Sequence, residues 1–490
     1  MNMNAPVWTR RIAWLFAVGG VLALLAGAAI VLQTPEQLAH LLEKLLGSRL
    51  QSPADVAATL KQTPKILLRG AAALLGFAGL GFLLLRCQGS EGVPPAGTGD
   101  RFRMPPLAYT LASGALALGI GLLLVSPRLG GSLWCDEASH ASCALDGSWL
   151  HPWLVGSVVN MRPYSYVMRV LTTLFGFSET LLRLPSMLTY CAFGWFIAVA
   201  AWNEQNRWLS GVAGVALQAA FLAAPGAIYT AAQARGHMPA AVLLAVGLWC
   251  FVCACGQADP RRWLRWCLLC LGLSISMVMT SLAGLAAVWL AVVASLATRR
   301  PLLPRHSPWF YNAAAVTIAA VLVVYAPVLP RFVLWMGSSP QWRAFGMGTI
   351  LPWTTGWLEF VPLAVLTWFF IQAARKEWAL SVVPLSAVAI WALLFAQHHA
   401  KFIYAAGSGT TLALLGALSV CRLEPLRPRQ QIAWAALAVL VASAAFSLDG
   451  WLDERKHFVP ESMARDQVAP IRKGDGVLLI GHCEAPRFYL

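Results

Sequence analysis

The chain has 490 residues, of which 58% are hydrophobic and only 12% are charged. A soluble domain carries about 25% charged residues, so this chain has too little charge to cover a soluble surface of its size. Its net charge of +15 does not indicate nucleic-acid binding, because the basic residues stand between apolar runs and not together on a polar domain. The composition therefore predicts an integral membrane protein and excludes a nucleic-acid partner.

Apolar runs bounded by Arg, Pro or polar clusters recur along the chain. They approach the roughly 20 residues that a helix needs to cross a bilayer, and helices are expected because each spanning segment must satisfy its own backbone hydrogen bonds. We predict an all-α membrane protein with thirteen spans, of which the short seventh and eighth are also compatible with a buried helical hairpin. The predicted spans are 12–32, 66–85, 107–126, 181–202, 208–227, 238–255, 266–279, 282–296, 310–326, 360–374, 378–395, 402–420 and 433–446.

The basic residues between these spans predict the orientation of the chain. Lys and Arg concentrate in cytoplasmic loops, and a cytoplasmic amino terminus puts most of them on that side. The inner segments then hold Arg10, Arg11, Arg86, Arg101, Arg103, Arg207, Arg261, Arg262, Arg265, Arg299, Arg300, Arg305, Arg375, Lys376, Arg422, Arg427 and Arg429, and the outer loops hold Arg235, Arg331, Arg343 and Lys401. Alanine-rich spans and the excess of Arg over Lys are typical of GC-rich bacteria, so we expect a multi-pass protein of a bacterial inner membrane.

The spans divide the chain into three regions. Residues 1–106 hold two spans, an amphipathic helix within the outer segment 33–65, and a Gly/Pro-rich inner linker. Residues 107–448 form the main transmembrane module, with a long outer loop at 127–180. Residues 449–490 form a polar outer segment that is too short for a substantial domain with its own core.

Two adjacent carboxylates, Asp136 and Glu137, lie in the outer loop just beyond the third span. Such a pair can take a proton from a hydroxyl nucleophile or hold a cation. By themselves the two residues are a weak signal, because an Asp-Glu pair in an exposed loop is usually only solvated.

The stretch 164–175 is amphipathic and too polar to be read as a span, so we place it flat at the outer interface, with Gly176 ending it. Arg162 and Arg183 flank this stretch near the level of the lipid headgroups. A guanidinium suits the two-point binding of a phosphate, although snorkelling of each Arg to the interface is an equal alternative.

The order and spacing of these motifs resemble the GT-C glycosyltransferases, and most closely the branch of the protein O-mannosyltransferases and the lipid A aminoarabinose transferases. The resemblance is strongest from Trp134 to Leu188 and covers the following spans more weakly. The residues that carry it are Asp136-Glu137, Arg162-Pro163-Tyr164, the Leu-Phe-Gly-Phe-Ser-Glu turn at 174–179, and Arg183-Leu184-Pro185-Ser186.

Two later segments also look like family features. Gln233-Ala234-Arg235-Gly236-His237-Met238 precedes a span where the family tends to carry Arg followed by an aromatic residue, and Lys401-Phe402-Ile403-Tyr404 opens a span where the family often has Arg-Tyr. The tail around 475–478 resembles the first strand of the family's small outer domain. The chain departs from the family in its two additional amino-terminal spans, in Arg162-Pro163-Tyr164 where Lys-Pro-Pro is common, and in His237 where Tyr is common.

The resemblance implies an inverting transfer of a sugar from a polyprenyl-phosphate donor to a hydroxyl acceptor on the outer face. The catalytic pair would be Asp136, as the general base, and Glu137, which would position Asp136 or the acceptor. Arg162, Arg235 and Lys401 would hold the departing phosphate, whose charge grows as the bond breaks. The supporting residues would be Tyr164, Arg183, His237 and Tyr404, with Arg183 in a structural role.

The resemblance implies no cofactor, and we assign no metal, although other GT-C enzymes use a divalent cation with such acids. Cys135 and Cys143 lie on the outer side, where an oxidising compartment permits a disulfide. The alternatives are a zinc site formed with His140 and His151, and two free thiols.

Two other functions stay open. An O-antigen ligase-like transferase would use Arg and His as its key residues and not Asp136. A transporter or lipid flippase usually carries intramembrane charges or broken helices in repeated halves, whereas this chain keeps its acids in outer loops. The sugar is undetermined, and the acceptor could be a glycolipid, an envelope polysaccharide or a protein.

Overall fold

The computed structural model describes residues 5–32, 104–130, 133, 135–145, 148–154, 161–255, 257, 259–297, 303 and 307–328, together with single positions and short stretches within 67–85 and 410–436. Throughout these residues the regular structure is helical. The predicted amphipathic helix within 33–65, the spans at 360–374 and 378–395, and the tail 449–490 lie outside the described residues, as does most of the spans at 402–420 and 433–446. The described positions within the predicted span 66–85 are helical.

The first half of the described chain alternates long apolar helices with short ones. The helices are α1 (Ala5–Leu32), α2 (Leu107–Leu129), α3 (Cys135–Leu145), α4 (His151–Leu154), α5 (Arg162–Phe175) and α6 (Glu179–Ala200). The predicted outer loop 127–180 therefore contains three helices, α3, α4 and α5, between the longer helices α2 and α6.

The second half continues as a bundle joined by tight connections. Its helices are α7 (Arg207–Ala223), α8 (Pro225–Ala231), α9 (His237–Ala254), α10 (Arg261–Met277), α11 (Leu282–Ala297) and α12 (Ser307–Tyr325). Short 3₁₀ turns lie at Glu204–Asn206, Met279–Ser281 and Ala326–Val328.

Within the described residues, five helices are long and apolar enough to cross a membrane. They are Val7–Ala29, Leu107–Leu129, Glu179–Ala200, His237–Ala254 and Pro308–Tyr325. These five coincide with predicted spans one, three, four, six and nine. Helices α7, α10 and α11 coincide with three further predicted spans but are shorter, at 16 or 17 residues.

The predicted span 208–227 is interrupted in the structure. Helix α7 ends at Ala223, and Ala224 takes an extended conformation (φ −64°, ψ 123°) before Pro225 opens α8. Proline disfavours the helical conformation in the residue before it, which explains the break. The break lets the short helix α8 lead the chain into the segment 232–236, which belongs to the candidate site.

The helices are joined by close backbone approaches and by polar side chains that bond across to neighbouring carbonyls. Gln218 Nε2 on α7 donates to the Ser113 carbonyl of α2 at 2.7 Å, and Ser274 Oγ on α10 donates to the Ala240 carbonyl of α9 at 2.6 Å. Small residues and such interhelical bonds are what packs helices in lipid. The main apolar core lies among α2 and the helices from α6 to α12.

Candidate active site

A second and smaller apolar cluster lies apart from the main core, where α3, α5, the start of α6 and the segment 232–236 meet. Its buried members are Leu133, Ala138, Ala141, Ala144, Met161, Tyr164, Met168, Leu182 and Ala234. The alanines of α3 recur at three-residue intervals, so one face of this short helix packs against the cluster. The elements that meet here carry the sequence-predicted residues Glu137, Arg162, Tyr164, Arg183 and Arg235, and His237 opens α9 directly after the segment 232–236.

Asp136 and Glu137 lie in the first turn of a helix, which corrects the expectation of an exposed loop. Glu137 is only 2% exposed. The backbone of Asp136 belongs to α3, and its side chain lies outside the described part of the chain. Glu137 therefore makes its contacts inside the protein.

Glu137 forms a two-point ion pair with Arg183, which opens the second turn of α6. Arg183 Nη2 lies 2.6 Å from Glu137 Oε2, and Arg183 Nε donates to Glu137 Oε1 at 3.1 Å. Both side chains are 3% exposed or less. A buried charge needs such a partner, because removing either one leaves the other charge without compensation.

The remaining donor group of Arg183 reaches the end of α2. Its Nη1 donates to the carbonyls of Leu129 at 2.9 Å and Arg128 at 3.2 Å. The last carbonyls of a helix have no partner within the helix, so Arg183 satisfies two of them while it neutralises Glu137. A single side chain therefore ties α2, α3 and α6 together.

The segment 232–236 is fixed to the same point. The backbone N–H of Ala234 donates to Glu137 Oε1 at 2.5 Å, and Ser186 Oγ of α6 donates to the Arg235 carbonyl at 2.9 Å. Gly236 lies so close to α5 that a Cβ there would be 3.1 Å from both Met161 Sδ and Tyr164 Cβ. Glycine therefore allows a close approach here, and a larger residue would have to push these side chains aside by a few tenths of an ångström.

Tyr164 continues this hydrogen-bonded set from α5 to α6. Its hydroxyl donates to the Leu182 carbonyl at 2.7 Å and lies 3.0 Å from Ser186 Oγ. The side chain is fully buried, and burial raises the pKa of the Tyr164 phenol above its ordinary value. The phenol is therefore a neutral donor at any physiological pH.

Two residues that the sequence analysis did not propose as catalytic or phosphate-binding residues, His140 and Ser165, join α3 to α5. His140 Nε2 and Ser165 Oγ lie 3.1 Å apart and share a hydrogen bond, and both side chains are buried. The His140 ring also lies 6.0 Å from the Tyr164 ring. The sequence signal for Ser165 is its three-residue spacing from Arg162 and Met168, which places all three on one helix face.

Arg162, predicted to lie near the headgroups, is 1% exposed and belongs to the interior of the site. Its Nε donates to the Trp153 carbonyl at 3.3 Å, and its Cζ lies 5.5 Å from the centre of the Tyr325 ring. Tyr325, at the end of α12, donates in turn to the Ile275 carbonyl of α10 at 2.9 Å. Arg162 thus connects α4, α5 and α12, and Tyr325 is a contact that the sequence reasoning missed.

Helix α5 buries its polar side and exposes its apolar side. The buried residues at its start are Arg162, Tyr164, Ser165 and Met168, whereas Val167, Val170, Leu174 and Phe175 are 40–71% exposed. Gly176 ends the helix with φ 81°, and its N–H donates to the Thr172 carbonyl. The predicted helix and its glycine end are confirmed; its orientation in the membrane stays a prediction.

Arg235 and His237 are buried, at 3% and 5% exposure, and His237 lies within electrostatic range of Arg235 and His140. Their proximity to each other is imposed by the connection from α8 to α9, because His237 is the first residue of α9. Lys401 and Tyr404 lie outside the described residues. The functional roles assigned to all of these positions stay predictions.

The disulfide between Cys135 and Cys143 is not compatible with α3. Both residues lie on one continuous helix, and eight residues of helix rise about 12 Å, whereas bridged cysteines have Cα atoms within about 7 Å. In the zinc alternative, a His140 that bound the metal through Nε2 would lose its hydrogen bond with Ser165. Among the side chains that the structure describes, no group of three or more His, Cys, Asp or Glu residues is arranged to hold a metal ion.

The fold is shared with two solved structures of one membrane protein, ArnT. ArnT from Cupriavidus metallidurans in the apo state aligns with a TM-score of 0.51 and 18% identity over 78% of this chain and 84% of its own. The same protein bound to undecaprenyl phosphate aligns with a TM-score of 0.52 and 17% identity over 79% of this chain and 85% of its own. The chain therefore shares its overall fold with ArnT.

A further structure, the arabinosyltransferase EmbB from Mycobacterium smegmatis, aligns with a TM-score of 0.37 and 14% identity over 81% of this chain and 42% of its own. That similarity is below the level that identifies a common fold. No protein-family model and no curated protein sequence matches the chain.

Proposed function

We propose that the chain is an inverting glycosyltransferase that moves a sugar from a polyprenyl-phosphate donor to a hydroxyl acceptor on the outer face of the membrane. The observation that carries the proposal is the contact set around Glu137. It fastens the helix that holds Asp136 to the segment that holds Arg235, within a fold shared with a protein solved in complex with undecaprenyl phosphate. The acceptor would be a glycolipid, an envelope polysaccharide or a protein.

In this mechanism Asp136 is the general base. Its carboxylate takes the proton of the acceptor hydroxyl as the acceptor oxygen attacks the anomeric carbon. The bond from that carbon to the phosphate oxygen breaks, and the polyprenyl phosphate leaves with the electron pair, so the configuration at the anomeric carbon inverts. A carboxylate of ordinary pKa can accept a proton in such a transition state.

Glu137 acts through position and not through direct contact with the reacting atoms. Its ion pair with Arg183 and its bond from Ala234 fix the first turn of α3, and therefore the backbone of the adjacent Asp136. Catalysis is sensitive to displacements of about 1 Å, so this attachment supports the use of Asp136 as the base. Arg183 has a structural role, because it holds Glu137 in place through their ion pair.

Arg162, Arg235 and Lys401 would hold the phosphate of the donor as its negative charge grows. Two of them, Arg162 and Arg235, are buried on neighbouring elements of the described site. Guanidinium groups in a site shielded from water stabilise developing charge more strongly than they do in solution. Tyr164, His237 and Tyr404 would support these residues, and no metal is required by this scheme.

The test compares wild-type protein with Asp136→Asn in a donor-cleavage assay. Purified full-length protein is incubated with undecaprenyl-phosphate-linked hexose or pentose and a membrane extract, and released undecaprenyl phosphate is measured. Asn keeps the shape of Asp but cannot take the proton, so we expect release to fall at least a hundredfold. Asp259→Asn is the matched control, because Asp259 lies beyond the far end of α9, about 27 Å of helix from His237.

The result also separates the competing functions. If Asp136→Asn releases as much undecaprenyl phosphate as the wild type, Asp136 is not the base and the ligase-like mechanism with Arg and His takes its place. If the wild type cleaves no donor, the transferase proposal fails, and a lipid-transport assay follows.

A further inference from the structure

Gln233 has a buried side chain whose bonding the fold leaves incomplete. It is 3% exposed, and its Oε1 atom has no hydrogen-bond partner among the residues that the structure describes. Leaving a buried acceptor unsatisfied costs about 1–3 kcal/mol, so such groups are rare in folded proteins and call for an explanation, of which a ligand is one.

The position of Gln233 favours a ligand over a packing defect. The next residue, Ala234, donates its N–H to Glu137, and Arg235 accepts from Ser186 through its carbonyl. These two bonds hold the backbone on the carboxyl side of Gln233, so the backbone of this residue cannot move away without breaking contacts of the site. The backbone next to this buried amide is therefore fixed where α3, α6 and the segment 232–236 meet.

A second buried amide provides the contrast. Gln218 on α7 is fully buried and its Oε1 also has no partner within the described chain, but its Nε2 donates to Ser113 on α2 and so joins two helices of the bundle. A packing role accounts for Gln218. Gln233 makes no corresponding side-chain bond in the described structure, and it lies beside the residues that the proposed mechanism uses.

We infer that the side-chain amide of Gln233 forms a hydrogen bond with a hydroxyl group of the substrate and so contributes to substrate specificity. A neutral amide both accepts and donates hydrogen bonds, which suits a sugar hydroxyl better than a phosphate, whose charge calls for Arg or Lys. The hydroxyl belongs either to the sugar of the donor or to the acceptor. The inference rests on the proposed transferase function and adds a residue to it.

The experiment compares wild type, Gln233→Met and Gln218→Met. Met has a similar length to Gln but cannot form the hydrogen bond. The donor is undecaprenyl-phosphate-linked glucose or arabinose, whichever the wild type cleaves. We expect Gln233→Met to raise the KM for either the donor or the acceptor about tenfold. Gln218→Met should leave both KM values near wild type. The melting temperature in detergent reports whether either variant has lost its fold.

Deoxy analogues of the donor sugar distinguish the two sources of the hydroxyl. If the sugar is the ligand, wild type loses about tenfold in kcat/KM on one deoxy donor, and Gln233→Met does not discriminate between that donor and its parent. If the acceptor is the ligand, every deoxy donor affects both proteins equally, and Gln233→Met raises only the KM for the acceptor in the membrane extract.

Unchanged kinetics for Gln233→Met in an active enzyme would overturn the inference and leave the transferase proposal standing. A lowered melting temperature with unchanged kinetics would assign Gln233 to structure alone. If Gln233→Met melts at too low a temperature for assay, Gln233→Asn takes its place. Asn keeps the amide, but its side chain is one methylene shorter, so the same changes in KM are expected. If wild type cleaves no donor, the transferase proposal fails and the inference fails with it.

Discussion

Arg183 and Glu137 face each other across α6 and α3 in a buried ion pair with two contacts, of 2.6 and 3.1 Å. The same Arg183 side chain bonds the last carbonyls of α2, and the same Glu137 carboxylate accepts the N–H of Ala234. One charged pair therefore sets the relative positions of four segments, and both partners must be present for the carboxylate beside Asp136 to stay in place.

Removing one half of this pair is expected to be more damaging than replacing both halves. Glu137→Gln leaves the Arg183 charge buried without compensation, so we expect a loss of roughly 3–5 kcal/mol in stability. The double variant Glu137→Gln with Arg183→Met removes the stranded charge and should melt at a higher temperature than Glu137→Gln alone. Thermal unfolding in detergent measures both, and equal melting temperatures would contradict a buried charge as the cause.

Tyr164→Phe tests the hydroxyl that links α5 to α6. The phenol donates to the Leu182 carbonyl, and its loss leaves that buried acceptor with one contact fewer, which should cost about 1–2 kcal/mol. Because burial raises the pKa of the phenol, the effect should not vary between pH 6 and 9. Tyr166→Phe on the same helix is the control, since Tyr166 is less buried than Tyr164; equal losses in the two variants would show that the buried bond is not responsible.

Arg162→Lys separates the proposed phosphate site from simple packing. Lysine keeps the charge but loses the planar group that bonds the Trp153 carbonyl and stacks on Tyr325. We expect the KM for a polyprenyl-phosphate donor to rise about tenfold. Arg169→Lys provides a close match, because Arg169 also bonds a backbone carbonyl, that of Ser148, and stacks on an aromatic ring, that of Trp149.

The two substitutions differ in where the guanidinium lies. Arg162 is buried within the site, and Arg169 is two turns further along α5 and partly exposed. A similar rise in KM for both variants would indicate that α5 needs its arginines for structure, and the assignment of Arg162 to the phosphate would then be withdrawn.

Gly121→Ala tests the close approach of α2 and α6. A Cβ at position 121 would overlap Cys191 Sγ, whereas a Cβ at Gly119 would meet nothing within 4 Å. Overpacking typically costs 1–3 kcal/mol, so Gly121→Ala should lower the melting temperature and Gly119→Ala should not. Adding Cys191→Ala to Gly121→Ala should restore the lost stability, and failure to do so would place the strain elsewhere.

Much of the membrane architecture could be predicted because lipid imposes a simple rule on sequence. Each spanning segment must be apolar for its full length and helical throughout, and α1, α2, α6, α9 and α12 were predicted on that basis. The rule is weaker where helices are short. It did not predict the break at Pro225, because a proline next to an extended residue can end a helix or merely bend it.

The candidate site was predicted as a set of residues and not as a set of contacts. The order of the motifs predicted these candidate site residues but not the contacts between their side chains: Asp136, Glu137, Arg162, Arg183 and Arg235. Glu137 was expected to be exposed, since a neighbouring pair of acids is usually solvated, and only the arrival of Arg183 and Ala234 from distant parts of the chain makes its burial possible.

The sequence by itself determined that this is a helical membrane protein, where its apolar helices run, and which polar residues are candidates for chemistry, because these properties depend on composition and local spacing. Only the tertiary structure decided that Glu137 is a partner of Arg183, that Arg162 lies inside the site, and that His140, Ser165, Tyr325 and Gln233 are available to it. Pairings of this kind depend on how helices far apart in sequence pack together, and no local pattern along the chain encodes that packing.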